Sequence, residues 1–85
     1  MGNSYTLHER VIEITADYLG PASQRFVDRQ IASHLGKAPK DLNRSDMSKL
    51  ITWMEAAVSL LTKDKKLIKE YINKLNNLAT SSKQG

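Results

Sequence analysis

Apolar residues recur at helical spacing in four stretches of the chain. In the first stretch they lie three or four positions apart, at Leu7, Val11, Ile14 and Tyr18. This spacing is typical of an amphipathic helix that buries one face. The same pattern predicts helices over residues 6–19, 21–35, 46–61 and 63–79. No stretch alternates between apolar and polar positions as a half-buried strand does, so the sequence predicts an all-α, compact four-helix domain.

Local signals mark the ends of the first two predicted helices. Thr6 followed by Glu9 has the spacing of a capping box, in which each side chain accepts a hydrogen bond from the other residue's backbone N–H. Gly20-Pro21 interrupts the pattern, because proline disfavours helical geometry in the residue before it and is tolerated in the first turn of the next helix. Gly36 follows the second helix, at a position where a left-handed glycine commonly ends a helix.

The connector between the second and third helices has a pattern of its own. Residues 39–42 are predicted to form a short helical turn, with Leu42 as its buried anchor. Asn43 or Ser45 can cap the third helix, and Thr62 can cap the fourth, because all three side chains carry an oxygen that accepts from a free backbone N–H.

Length, charge and cysteine content narrow the class of protein. The 85 residues fit one domain, predicted over residues 1–79, and residues 80–85 are expected to form a disordered tail. The formal net charge of +4 is uneven: residues 1–36 carry three Arg against four Asp or Glu, and residues 37–85 carry ten Lys or Arg against five Asp or Glu. The absence of cysteine excludes disulfides and thiolate sites and favours a cytoplasmic location.

The third predicted helix is apolar over more of its circumference than one buried face requires. Such a helix is either central to the fold or partly committed to a partner. Methionine and tryptophan are also common at contact surfaces, where one adapts its shape and the other anchors. We therefore predict a non-catalytic, regulatory or dimerising protein-interaction module that forms a homodimer or receives a partner helix in a groove. The predicted contact residues are Met47, Trp53, Met54 and Leu60.

The basic C-terminal half supports an alternative, a DNA-binding protein. The spacing of a helix-turn-helix resembles that of Ile31, Ala32, Leu35, Gly36 and Leu42, and in that motif Ala32 would permit a close helix crossing while Gly36 forms the turn. A glycine-capped helix followed by a loop explains the same residues. In the DNA-binding alternative, the residues that contact nucleic acid are Lys37, Lys40, Asn43, Arg44, Lys65, Lys66 and Lys69.

No pattern in the sequence indicates an enzyme or a cofactor site. His8 and His34 lie on different predicted helices, and neither has a second ligand at the spacing of a helical metal site. Glu9, Glu13 and Asp17 form a row on the first helix that is expected to be solvated. We therefore expect no catalytic residues, metal, cofactor or small-molecule substrate, and also no signal peptide and no membrane partner.

A short segment of the chain resembles a known family. The segment is residues 18–31, which read Tyr18-Leu19-Gly20-Pro21-Ala22, then Arg25-Phe26-Val27, then Ile31. It is similar to a small helical domain that is appended to bacterial signalling proteins such as serine/threonine kinases and response regulators. Those domains also carry a helix, a Gly-Pro break and a second amphipathic helix. The resemblance implies a regulatory or oligomerising accessory role.

Overall fold

The computed structural model describes residues 6–80, and every regular element in this range is helical. The α-helices are α1 (Leu7–Leu19), α2 (Ser23–Gln30), α3 (Arg44–Leu61) and α4 (Lys65–Thr80). Shorter elements are 3-10 turns at Gly20–Ala22 and Pro39–Asp41 and a π-helical turn at Ile31–Leu35. Helix α4 includes Thr80, and the other residues of the predicted tail, 81–85, lie outside the described residues.

The helical class is confirmed, whereas the finer four-helix division is not. α1 is followed without a loop by the 3-10 turn, α2 and the π-helical turn, so the predicted second helix over 21–35 consists of three successive pieces. α1 packs against α2, α3 packs against α4, and α1 also contacts α4. These contacts enclose one core within a radius of gyration of 12.3 Å.

Two glycines adopt backbone conformations that other residues rarely take. Gly20 ends α1 at φ 66° and ψ −139°, which turns the chain into the 3-10 turn that contains Pro21. Gly36 lies in the left-handed region at φ 65° and ψ 31°, as predicted, and ends the π-helical turn. The sharp change of direction at each position therefore depends on the absence of a side chain.

The capping residues set where α1, α3 and α4 begin. The Thr6–Glu9 capping box is present, with backbone-to-side-chain bonds of 3.1 and 2.9 Å. Asn43 caps α3, which begins two residues earlier than predicted, at Arg44. The predicted Thr62 cap of α4 is wrong. Asp64 Oδ1 accepts from the N–H of Leu67 at 3.1 Å and caps the helix, whereas Thr62 Oγ1 accepts from the N–H of Asp64 at 3.1 Å, one residue before the helix begins. α4 therefore begins at Lys65, two residues later than predicted.

α3 contributes more to the core than any other helix. The buried apolar residues in the described range are Val11, Val27, Ile31, Leu42, Met47, Leu50, Ile51, Met54, Val58, Tyr71 and Leu75. Five of these eleven belong to α3. Each fully buried aliphatic or aromatic side chain stabilises the fold by roughly 1.5–3 kcal/mol relative to exposure. Leu42 is buried after the 3-10 turn, which confirms its predicted role as an anchor.

One polar pair lies inside this core and connects α1 to α4. The hydroxyl of Thr15 donates to the carbonyl of Val11 at 2.7 Å, and Thr15 Oγ1 lies 2.7 Å from Tyr71 Oη. Since the single hydroxyl proton of Thr15 goes to Val11, Tyr71 is the donor in the second bond. Burial raises the pKa of Tyr71 to about 12.

Candidate protein-interaction surface

Two of the four predicted contact residues belong to the core instead. Met47 is 1% exposed and Met54 is 0% exposed, so neither side chain can reach a partner while the domain is folded. The two residues are seven positions apart, which places them two turns apart on the same side of α3, the side that faces the other helices. Their flexible side chains fill the interior, so the two methionines are not part of the candidate surface.

The other two predicted residues are exposed, together with a third that the sequence pattern did not indicate. Trp53 is 41% exposed and Leu60 is 88% exposed. Leu61 is 60% exposed, although it continues the spacing of the buried Val58. The helical period alone therefore predicts burial of Leu61, but α3 ends there and no neighbouring element covers most of its side chain. We call Trp53, Leu60 and Leu61 the apolar face of α3.

The Trp53 ring is held in place by a histidine from the π-helical turn. The imidazole of His34 stacks on the indole with 3.9 Å between ring centres and 6° between ring planes. One face of the indole is therefore covered within the chain, and the remaining exposed part keeps a fixed orientation. The sequence does not indicate this role of His34, because nothing local to residue 34 predicts a partner on α3.

A groove runs between α3 and α4. Its volume is about 410 Å³, and its lining residues are Glu55, Ser59, Lys65, Ile68, Lys69, Ile72 and Asn73. Ile68 and Ile72 are half-buried, whereas Lys65 and Lys69 are exposed. We call this feature the α3–α4 groove. Trp53, Leu60 and Leu61 are not among its lining residues, so the groove is a surface separate from the apolar face of α3.

Three of the seven residues predicted to contact nucleic acid already have partners in the fold. Lys37 Nζ lies 2.7 Å from Asp46 Oδ2. Asn43 caps α3. Arg44 Nη1 donates to two carbonyl oxygens at the end of α4, those of Leu78 at 2.9 Å and Ala79 at 3.3 Å.

The ion pair at the start of α3 has an electrostatic consequence. The hydrogen bond from Lys37, followed in size by the one from the backbone of Asn43, lowers the pKa of Asp46. The exposed side chains of the predicted set that have no hydrogen-bond or ion-pair partner among residues 6–80 are those of Lys40, Lys65, Lys66 and Lys69.

The helix-turn-helix interpretation disagrees with the packing at one residue. Gly36 has the left-handed conformation that the motif requires. Ala32, however, is exposed and does not lie at a helix crossing, so the role predicted for it is wrong. It belongs to the π-helical turn over 31–35, which places its side chain outside the contact with α3.

The remaining polar residues of the predicted sites are dispersed. His8 Nε2 and Asp28 Oδ1 form a hydrogen bond of 2.6 Å that joins α1 to α2. Glu9, Glu13 and Asp17 are exposed along α1. Within residues 6–80, no group of three or more His, Asp or Glu side chains is placed to hold a metal ion. None of the helices in this range has the length and apolar character that crossing a bilayer requires.

A second, more open hollow of about 950 Å³ follows the outer side of α2. Arg25, Arg29 and Pro39 are among its lining residues, and it includes none of the predicted site residues. Comparisons of the chain with protein-family models, with curated proteins and with solved structures found no match.

Proposed function

We propose that this chain acts as a four-helix, non-catalytic interaction module that binds another protein chain through the apolar face of α3. The observation that carries the proposal is the joint exposure of Leu60 and Leu61, at 88% and 60%, in the last turn of α3. Single exposed leucines are common on protein surfaces, but neighbouring apolar residues that are exposed together mark contact sites. The regulatory role implied by the family resemblance agrees with this function, as does the cytoplasmic location expected of a chain without cysteine.

The size of the apolar face sets the expected strength of binding. Complete burial of an exposed leucine or tryptophan contributes roughly 1.5–3 kcal/mol, and Trp53 is already more than half covered. Association also costs several kcal/mol in lost freedom of the two partners. Three such anchors therefore support micromolar rather than nanomolar affinity, which is typical of a reversible regulatory contact.

Site-specific photo-crosslinking tests this proposal. A photoreactive phenylalanine analogue at position 60 should form covalent adducts with another protein chain in cells of the source organism. The same analogue at Ala32, an exposed residue of the π-helical turn outside the apolar face of α3, serves as the matched control. Adducts at both positions with equal yield, or at neither, would contradict the proposal. Sedimentation velocity at tens of micromolar then tells whether the bound chain is a second copy or a different protein.

Nucleic-acid binding is a second candidate, favoured by one observation. Lys65, Lys66 and Lys69 are exposed on the first turns of α4 and have no ion-pair partner among residues 6–80. If all three contact phosphates, affinity for duplex DNA falls with salt by a slope of about −2.7, roughly 40-fold between 50 and 200 mM salt. Titration of a labelled duplex at both concentrations measures this slope. No binding at low salt would eliminate the candidate.

A further inference from the structure

The exposed side of α3 carries an apolar stripe that contains no charged residue. Trp53 and Leu60 are seven positions apart and therefore lie on the same side of the helix. Ala56 and Ala57 lie between them on that side, three and four positions from Trp53. Of these four residues, Ala57 is half-buried and the others are exposed. The single charged residue between positions 53 and 61 is Glu55, which lines the α3–α4 groove instead.

The sizes of the side chains along this stripe read the same in both directions. A large residue stands at each end, and two alanines stand in the middle. A second copy of α3 that runs antiparallel presents the same order, so Trp53 lies opposite Leu60 of the second copy and the alanines meet at the centre. Small side chains at the centre allow two helix axes to approach to about 8 Å. The stripe thus complements itself, as the surface at a two-fold interface must.

The charges at the ends of the stripe favour this antiparallel direction. Lys49 is exposed one turn before Trp53, so a parallel pair would bring two Lys49 side chains together, which opposes association. In an antiparallel pair Lys49 lies near the last turn of the other α3, whose carbonyl groups carry partial negative charge. That turn contains no basic residue of its own. The connector beyond it carries Lys63 and Asp64, whose charges offset each other.

We propose that the apolar face of α3 binds a second copy of this chain, in an antiparallel two-fold pair of α3 helices centred between Ala56 and Ala57. This inference rests on the function proposed above and names the bound chain. A stripe without charged residues offers a charged partner no ion pair, whereas a second copy matches it in both size and polarity. Each copy supplies only three large apolar side chains, so the interface belongs with the small, reversible ones below about 1,200 Å². We expect a dissociation constant of about 10–100 µM.

Sedimentation equilibrium of the full chain between about 5 and 500 µM tests for this dimer. The apparent mass should rise from the 9.6 kDa of one chain towards twice that value. Leu60→Asp should weaken association at least about 30-fold, because pairing would bury a carboxylate without a partner. Ser59→Asp is the matched control, since it places the same charge on the neighbouring exposed residue, which faces the α3–α4 groove, and it should leave association unchanged. Circular dichroism verifies that both variants remain helical.

Single cysteines measure the direction of pairing, since the chain has no cysteine of its own. The thiol of Ala56→Cys lies beside the proposed axis and should form an intermolecular disulfide at least about tenfold faster under mild oxidation than that of Ser59→Cys. Lys49 lies about 11 Å from the axis along the helix, at about 1.5 Å per residue, so two thiols of Lys49→Cys are about 22 Å apart. Lys49→Cys should therefore react no faster than Ser59→Cys.

Three outcomes would overturn the inference. If the chain stays monomeric at about 500 µM, the bound chain is not a second copy, and adducts of a different protein with the photoreactive group at position 60 would still support the proposed function. If Leu60→Asp leaves the dimer intact, the dimer uses another surface. If Lys49→Cys forms its disulfide as fast as Ala56→Cys, the pair is not antiparallel. A monomeric chain that also gives no adducts would contradict both the inference and the proposed function.

Discussion

Substitution of Thr15 and Tyr71, singly and together, measures how much the buried hydrogen bond between α1 and α4 stabilises the fold. Thr15→Val leaves the Tyr71 hydroxyl buried without its acceptor, since the two oxygens lie 2.7 Å apart and Tyr71 is in the core. Tyr71→Phe leaves Thr15 with its second bond, to the Val11 carbonyl at 2.7 Å. The two single substitutions therefore differ in whether a buried polar group remains unsatisfied.

The structure gives an expected magnitude for each variant. Thr15→Val should lower the free energy of unfolding by about 1–3 kcal/mol, because a buried donor loses its partner. Tyr71→Phe should lower it by about 0.5–1.5 kcal/mol, the net value of one hydrogen bond. The double variant should cost less than the sum by about 1 kcal/mol, because the orphaned hydroxyl is absent. Each kcal/mol corresponds to a change in Tm of about 4–8 °C in a domain of this size.

Urea denaturation followed by circular dichroism at 222 nm measures the three differences. Thr52→Val provides a matched control, because the Thr52 hydroxyl makes the same kind of bond, to the Ser48 carbonyl at 3.1 Å, on the exposed side of α3. That variant should change the free energy of unfolding by less than about 0.5 kcal/mol. If Thr15→Val and Tyr71→Phe add to within about 0.3 kcal/mol in the double variant, the two hydroxyls do not interact and the reasoning is refuted.

Three further predictions concern pH and backbone conformation. The raised pKa of Tyr71, about 12 in the fold against about 10 when unfolded, means that its contribution to stability is complete below pH 10 and is lost as pH rises towards 12; urea midpoints at pH 9, 11 and 12 measure the loss. Gly20→Ala should cost more than Gly36→Ala, for which we expect about 1–2 kcal/mol, because L residues can adopt the Gly36 conformation but rarely that of Gly20; thermal denaturation compares the two. Asp46→Asn should lower the free energy of unfolding by about 0.5–1 kcal/mol at pH 7, since the pKa of Asp46 is held low by Lys37; the difference should shrink as pH falls through that lowered pKa.

Each of these predictions has a result that would contradict it. If Tyr71→Phe shows the same loss of stability above pH 10 as the unsubstituted chain, another group is responsible for the alkaline transition. Asparagine tolerates the left-handed region, so Gly36→Asn should cost less than Gly36→Ala, and an equal cost would argue against the conformational explanation. If Asp46→Asn lowers the free energy of unfolding by the same amount at every pH down to 2, the charge of the Asp46 carboxylate does not contribute to stability.

Local chemistry accounts for the parts of the fold that could be predicted from the sequence. A capping box needs only two residues three positions apart, so Thr6 and Glu9 identified the start of α1 directly. Gly36 likewise signals a helix end through its own conformational freedom. The Thr62 prediction failed although Thr62 is an acceptable cap, because Asp64 offers a second acceptor two residues later and both side chains are used in succession.

Which residues form the candidate surface depends on tertiary contacts, and the helical spacing of the sequence does not predict those contacts. A broad apolar helix such as α3 has more apolar residues than one face can bury, and its neighbours decide which of them are covered. Met47 and Met54 face those neighbours, whereas Leu60 and Leu61 remain exposed in the last turn of α3. Arg44 was similarly assigned to nucleic acid because its partners, the last carbonyls of α4, are thirty-four and thirty-five residues away in sequence.

The stack of His34 on Trp53 gives this protein a built-in optical signal. Trp53 is the single tryptophan of the chain, so its emission arises from one known position. Contact with an imidazole quenches indole emission, and separation of the two rings, 3.9 Å apart in the fold, relieves that quenching. Brightening without a loss of helical content would therefore report that the π-helical turn has detached from α3 while the rest of the domain stays intact.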